Sequence, residues 1–171
     1  MLSRVLSVST THRHLLSAIS LFLLALGINL IGLDFRSLTS DECFSIYHAQ
    51  MSPRLIYQHL SSGNNPPLFE WMLHYWMLLW GDSPFSVRLP SAIFSSLTTA
   101  LIYVLGTQIY VARSNENAAN SSLGMIAAIL FLSSNYSTFL AHEARTYNLT
   151  LFLGVLTTLL FVRAIKHESR W

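Results

Sequence analysis

The chain has 171 residues, 52% of them hydrophobic and only 11% charged, against roughly a quarter charged in ordinary soluble domains. That balance excludes an ordinary soluble domain and intrinsic disorder, and a lone cysteine, Cys43, excludes a disulfide-stapled scaffold. A net charge of +2, from nine Arg and one Lys spread without a basic run against eight acids, gives no sign of a nucleic-acid partner and leaves a membrane protein.

A helix rises about 1.5 Å per residue, so roughly 20 apolar residues cross ~30 Å of hydrocarbon. Four uncharged stretches meet that need, 15–33, 89–112, 123–141 and the shorter 146–162. The expected fold is therefore all-α, a polytopic membrane protein with four transmembrane helices. Arg4 and Arg13 precede a first stretch longer than a signal-peptide core, and no small-x-small cleavage site follows, so it reads as a retained anchor. Placing the N-terminus inside puts six basic residues in the cytoplasm (Arg4, Arg13, Arg113, Arg163, Lys166, Arg170) and four outside (Arg36, Arg54, Arg88, Arg145). The positive-inside rule then predicts a multi-pass protein of the inner (plasma) membrane with both termini cytoplasmic.

Residues 34–88 form a long extracytoplasmic loop with helix punctuation of its own. Ser52-Pro53 fits an N-cap followed by Pro at the first helical position, with Gly63 as the stop. Asn65-Pro66-Pro67 opens an apolar run, 68–80, that Gly81 closes. The run is too short to cross a bilayer, and with Trp71, Tyr75, Trp76 and Trp80 it suits a helix lying among membrane lipids at the interface. Asp82-Ser83-Pro84 restarts the chain toward Arg88 and the second span. On the other side, 113–120 is a polar connector, and the sequons at Asn120, Asn135 and Asn148 fall at or inside spans, where they read as chance.

The acidic pair Asp41-Glu42 carries two compatible readings. Thr39-Ser40-Asp41-Glu42 fits a capping box, and acids are favoured in a first helical turn. Equally, a carboxylate at the membrane surface suits proton abstraction from an acceptor hydroxyl. Adjacent helical residues point about 100° apart, so Asp41 is assigned as base and Glu42 as supporting group or cap. His142-Glu143-Ala144-Arg145-Thr146-Tyr147 links the last two spans. It anchors two helix ends, or Arg145 faces a membrane cavity and binds a lipid-linked phosphate. Thr146 stands where a His-Glu-x-x-His zinc motif needs its second His. His48, His59 and His74 share the long loop, with Glu70 four residues before His74. That spacing fits a polar stripe better than a metal pair, so no metal ligand is assigned, although a divalent metal is left open as a cofactor.

Taken in order, Asp41-Glu42, Asn65-Pro66-Pro67-Leu68, the run from Gly81 through Arg88-Leu89-Pro90-Ser91, and Glu143-Ala144-Arg145-Thr146-Tyr147 resemble the N-terminal part of polytopic C-type glycosyltransferases. The nearest group is the dolichyl-phosphate-mannose protein mannosyltransferases with bacterial relatives such as the lipid A aminoarabinose transferases, over about residues 15 to 165. The resemblance implies transfer of a sugar from a polyprenyl-phosphate carrier to a lipid, glycan or protein acceptor on the extracytoplasmic side. It implies a catalytic Asp41 with Glu42 beside it, and substrate-binding roles for Glu143, Arg145, Tyr147, Arg88 and Asn65. Many bacterial relatives carry His where this chain has Asn65, which has no positive charge to offer. Family members have about twice as many spans, so the resemblance also implies an N-terminal fragment. The competing readings are a non-catalytic membrane assembly protein whose loop is a docking platform and, less favoured because the spans carry no charge, a transporter.

Overall fold

The computed structural model describes residues 2–61, 63, 65–114 and 121–168, and every regular element among them is an α-helix. In chain order these are α1 (Leu2–Leu30), α2 (Ser40–Ala49), α3 (Pro53–Leu60), α4 (Leu68–Trp80), α5 (Pro84–Ser114), α6 (Ser121–Leu132), α7 (Asn135–Ala141) and α8 (Tyr147–Glu168). Within the connector, Glu116 and Asn120 lie outside the described residues, as does Arg170 in the tail.

Three helices are long and apolar enough to cross a membrane, over His12–Leu30, Pro84–Ile109 and Tyr147–Lys166. The chain is thus a polytopic helical membrane protein. α5 is its central post, packed against α1, α6 and α8. The α1 seam buries Leu21 and Ala25 and carries two polar ties: Asn29 Nδ2 donates to Ser96 Oγ at 3.1 Å, and His14 Nδ1 meets the Tyr103 hydroxyl at 2.9 Å. Buried Ser96, Thr98 and Thr99 turn their hydroxyls back onto the carbonyls of Ala92, Phe94 and Ser95, so small residues line the post without unsatisfied hydroxyls. Against α6 the backbones nearly touch. A Cβ added to Gly106 would sit 2.7 Å from the Gly124 Cα, and one on Gly124 would collide with the Tyr103 carbonyl. The faces turned away from α5 present Leu16, Leu23 and Leu24 on α1 and Leu160, Phe161 and Ile165 on α8, as lipid-facing surfaces do.

Three boundaries depart from expectation. α1 ends at Leu30 rather than reaching 33, because Gly32 takes a left-handed φ of 74° that stops the helix. α5 begins at Pro84, five residues before the expected span, because Ser83 is a working N-cap: its Oγ accepts the Ser86 N–H at 3.2 Å. The expected single helix over 123–141 is instead two, α6 and α7, bent by 64° at Ser133-Ser134. Ser-Ser-Asn offers short polar side chains that compete with helical hydrogen bonding, and Ser134, in extended conformation, is the N-cap of α7. The bent pair makes a fourth crossing only if it is one broken span.

The segment between α1 and α5 folds as three helices across one end of the bundle. α4 spans the expected 68–80 and stops where Gly81 adopts a φ of 76°. Phe69 and Leu73 of α4 bury against Ala49, Val87, Ala144 and Leu149, tying α2, α5 and α8 together. The Pro90 ring removes the N–H that would have bonded the Ser86 carbonyl one turn back. That carbonyl accepts instead from Trp76 Nε1 at 2.9 Å, so the proline inside α5 is what fastens α4 to it.

Candidate functional site

At this end of the bundle the α1–α2 turn, the start of α2, the start of α5 and the α7–α8 connection converge on one ion pair. Thr39 is the N-cap of α2, and the capping box is complete: Thr39 Oγ1 accepts the Glu42 N–H, and the Glu42 carboxylate accepts the Thr39 N–H at 2.9 Å. That turns Glu42 inward, where Arg88 of α5 donates to it in a two-point fork, Nε to Oε1 at 2.7 Å and Nη2 to Oε2 at 2.8 Å. The remaining Arg88 donors reach the carbonyls of Leu33 and Arg36 from Nη1 and of Ser37 from Nη2. All five guanidinium N–H groups therefore have acceptors. Glu42 Oε1 also takes the Ala144 N–H at 3.1 Å, which draws the α7–α8 connection onto the same latch. Burial alone would raise the Glu42 carboxyl, but the bonds from Arg88, Thr39 and Ala144 outweigh it and hold the group below the usual carboxylate range.

Arg88 and Glu42 have side chains only 1% and 0% exposed, with their hydrogen-bonding capacity directed at each other and at backbone. Neither is among the residues lining the hollow that opens beside Asp41.

The next residue back does the opposite. Asp41 points outward, its side chain 67% exposed. Arg145 crosses from the α7–α8 connection to meet it: Nη1 donates to the Asp41 carbonyl at 3.0 Å, and Nη2 stands 4.0 Å from Oδ2. The guanidinium carbon lies 5.6 Å from the Tyr147 ring centre and 6.0 Å from that of Phe44, within the range of cation–π attraction. Ser91 Oγ, 3.5 Å from the Arg145 carbonyl, steadies the backbone. Beside this pair opens a hollow of about 400 Å³, lined by Thr39, Ser40, Asp41, Tyr136, Phe139, Leu140, Glu143 and Tyr147. Glu143 is tethered at its edge by Arg36, 3.4 Å away. His142 donates its Nε2–H to the Asn29 carbonyl at 2.9 Å. Burial, with the charges of Arg36 and Arg88, keeps its imidazole below the ordinary value despite that bond, so it is a neutral strut.

Of the residues singled out from the sequence, Asp41, Glu143 and Tyr147 line this hollow, and Arg145 bonds the Asp41 backbone beside it. Asn65 lies in the turn before α4, half-buried and not among the lining residues. Tyr136, Phe139 and Leu140 escape a reading that takes 123–141 as one straight helix. The bend at Ser133-Ser134 swings α7 so that these side chains wall the hollow, and Ser-Ser-Asn inside an apolar run is the signal that points to it. Among the described residues no three His, Cys, Asp or Glu side chains converge as metal ligands would. His74 donates from Nδ1 to the Ala49 carbonyl and His48 to that of Phe44, both serving the C-terminal half of α2.

A hollow lined by carboxylates and aromatic rings, with a guanidinium bonded to the backbone of one of those acids, is suited to binding an anionic sugar ester and moving a proton. The sequence profile of the dolichyl-phosphate-mannose-protein mannosyltransferase family matches residues 64–171, more than half of the chain. Its match includes Arg88, Glu143, Arg145 and Tyr147, and Asp41 and Glu42 precede it. No curated protein and no solved structure matches. With its membrane-spanning helices and this matched segment, the chain belongs to the dolichyl-phosphate-mannose-protein mannosyltransferase family of membrane glycosyltransferases.

Proposed function

We propose that the chain, or the longer gene product it is part of, transfers a sugar from a polyprenyl-phosphate carrier to a hydroxyl of a lipid, glycan or protein acceptor on the extracytoplasmic face of the cell membrane. The hollow between α2 and α7 receives the sugar ester. Asp41 accepts the proton of the acceptor hydroxyl as its oxygen bonds the anomeric carbon. The bond from that carbon to the phosphate oxygen breaks, and the electron pair leaves with the polyprenyl phosphate. Arg145 is oriented to neutralise the charge growing on that phosphate, an effect strongest in the transition state. In-line displacement inverts the anomeric configuration. Tyr147 and Glu143 line the sugar side, while Glu42 and Arg88 fix the backbone that carries Asp41 and Arg145. On this reading α4 lies at the membrane interface, its exposed Tyr75, Leu78, Leu79 and Trp80 among lipids.

The observation that carries the proposal is that Asp41, which lines the hollow, is met by Arg145, 104 residues away in sequence. The test is transfer from radiolabelled polyprenyl-phosphate sugars by membranes containing the full-length gene product. Asp41→Asn is expected to lower turnover by about 10²- to 10⁴-fold, the range general-base catalysis supplies. Undiminished turnover would remove Asp41 from the mechanism, and a docking-platform role would then account for the loop better.

A further inference from the structure

Glu70 is a buried acid that the mechanism above does not use. It occupies the third position of α4, so its side chain points from the first turn into the seam with α2, where it is 3% exposed. One oxygen, Oε1, accepts from Ser45 Oγ at 3.3 Å. Ser45 is one turn along α2 from Asp41, so Glu70 bonds the same helix that carries the candidate base. The other oxygen, Oε2, is buried without a hydrogen-bond partner. Leaving a buried polar atom unpaired is costly, so such an atom calls for an explanation.

Phe69, next to Glu70 in the chain, and Ala144, next to Arg145, pack in one buried cluster. Arg145 holds Asp41 with its two Nη groups, but its Nε–H is buried and has no acceptor. The guanidinium therefore faces two ways, with a bonded outer edge on Asp41 and an unbonded inner edge. The Arg145 charge bears on the Glu70 carboxyl, as does His48 from α2. Among the described residues two buried side-chain donors, Arg145 Nε and Asn148 Nδ2, lack acceptors, and two buried side-chain oxygens, Glu70 Oε2 and Asn148 Oδ1, lack donors; of these the Arg145 and Glu70 atoms belong to groups of opposite charge.

We propose that Glu70 is a positioning residue for the donor-phosphate site, its free carboxyl oxygen accepting the Arg145 Nε–H when the guanidinium leaves Asp41 for the phosphate. This rests on the assignment of Arg145 under the proposed function. Arg145 engages Asp41, and a carboxylate so engaged is a poorer proton acceptor. When a phosphate arrives, the Nη groups turn to it, the inner edge closes on Glu70, and Asp41 is released to serve as base. Glu70 thereby links donor binding to the freeing of the base and does not itself touch substrate.

The test uses the full-length gene product in lipid nanodiscs with radiolabelled polyprenyl phosphate as probe, whose binding does not depend on which sugar is carried. Glu70→Gln keeps the shape and the Ser45 bond. It is expected to raise the probe Kd about tenfold in the otherwise unaltered protein and less than twofold in an Arg145→Ala background, because the two act as one unit. A chain that merely packs around Glu70 shows no such dependence on Arg145. An unchanged Kd for Glu70→Gln, or the same rise with and without Arg145, overturns the proposal. If Glu70→Gln fails to accumulate in membranes, Glu70→Met, which fills the space without an acceptor, carries the same two expectations. Failure of the unaltered protein to bind polyprenyl phosphate, or full binding by Arg145→Ala, overturns the underlying functional reading and this proposal with it. Weakened binding by Arg145→Ala beside a silent Glu70→Gln overturns this proposal alone.

Discussion

Asp41 and Glu42 are neighbours of the same chemical type, each beside an arginine from a distant part of the chain, yet the two pairs are built in opposite ways. Glu42–Arg88 is dry, forked, and complete at every guanidinium donor. Asp41–Arg145 is open to solvent on the acid, reaches only 4.0 Å between charged groups, and leaves a buried N–H unbonded. The roughly 100° between successive helical residues makes the difference: the capping box commits Glu42 to the inside and thereby turns Asp41 out. A saturated pair holds structure, whereas an unsaturated one has capacity left for a ligand.

The sharpest way to break this comparison is on the closed side. Arg88→Ala leaves Glu42 buried without its counter-charge, and removing one partner of a buried pair costs about 3–5 kcal/mol. Loss of folded protein is the expected outcome, read by thermal unfolding in detergent; an unshifted Tm would show that the latch does not bear on stability. Acid should release it too. The folded-state pKa of Glu42 lies below its unfolded value, so its contribution is complete above the unfolded pKa and lost as pH falls through the folded one. Glu70 has the reverse sign. Burial raises its carboxyl despite the Ser45 bond and the Arg145 and His48 charges, so it opposes folding above its raised pKa and that penalty fades as pH falls. At neutral pH Glu70→Gln is thus expected to leave stability unchanged or higher, whereas Glu42→Gln lowers it; equal Tm losses would contradict the contrast. A smaller effect belongs to the proline seam. Trp76→Phe removes the donor that satisfies the Ser86 carbonyl, with an expected loss of about 1–3 kcal/mol, measured by denaturation and absent if that carbonyl finds another donor.

Much of this was legible locally. The caps at Thr39 and Ser52-Pro53 and the stop at Gly81 depend on residues within a few positions of each other, and so does the extent of α4. The acid pair and the Glu-x-Arg-x-Tyr segment were visible as motifs. What stayed hidden depends on pairing across the fold: that Arg88 reaches Glu42 across 46 residues, and that Pro90 frees a carbonyl for Trp76. The break between α6 and α7 was hidden for another reason. Hydrophobicity alone sees 123–141 as continuous, while three short polar side chains at its middle decide the local geometry and bring Tyr136, Phe139 and Leu140 to the hollow.

The central claim is that consecutive acids divide into one that holds the fold and one that serves the reaction. It is tested most directly by measuring Tm and sugar transfer side by side for Asp41→Asn and Glu42→Gln in the full-length gene product. The account predicts that Asp41→Asn melts with the unaltered protein but has lost transfer, and that Glu42→Gln melts earlier yet retains transfer in the fraction that remains folded. Full transfer by Asp41→Asn, or inactivity of a Glu42→Gln protein with an unshifted Tm, would contradict it.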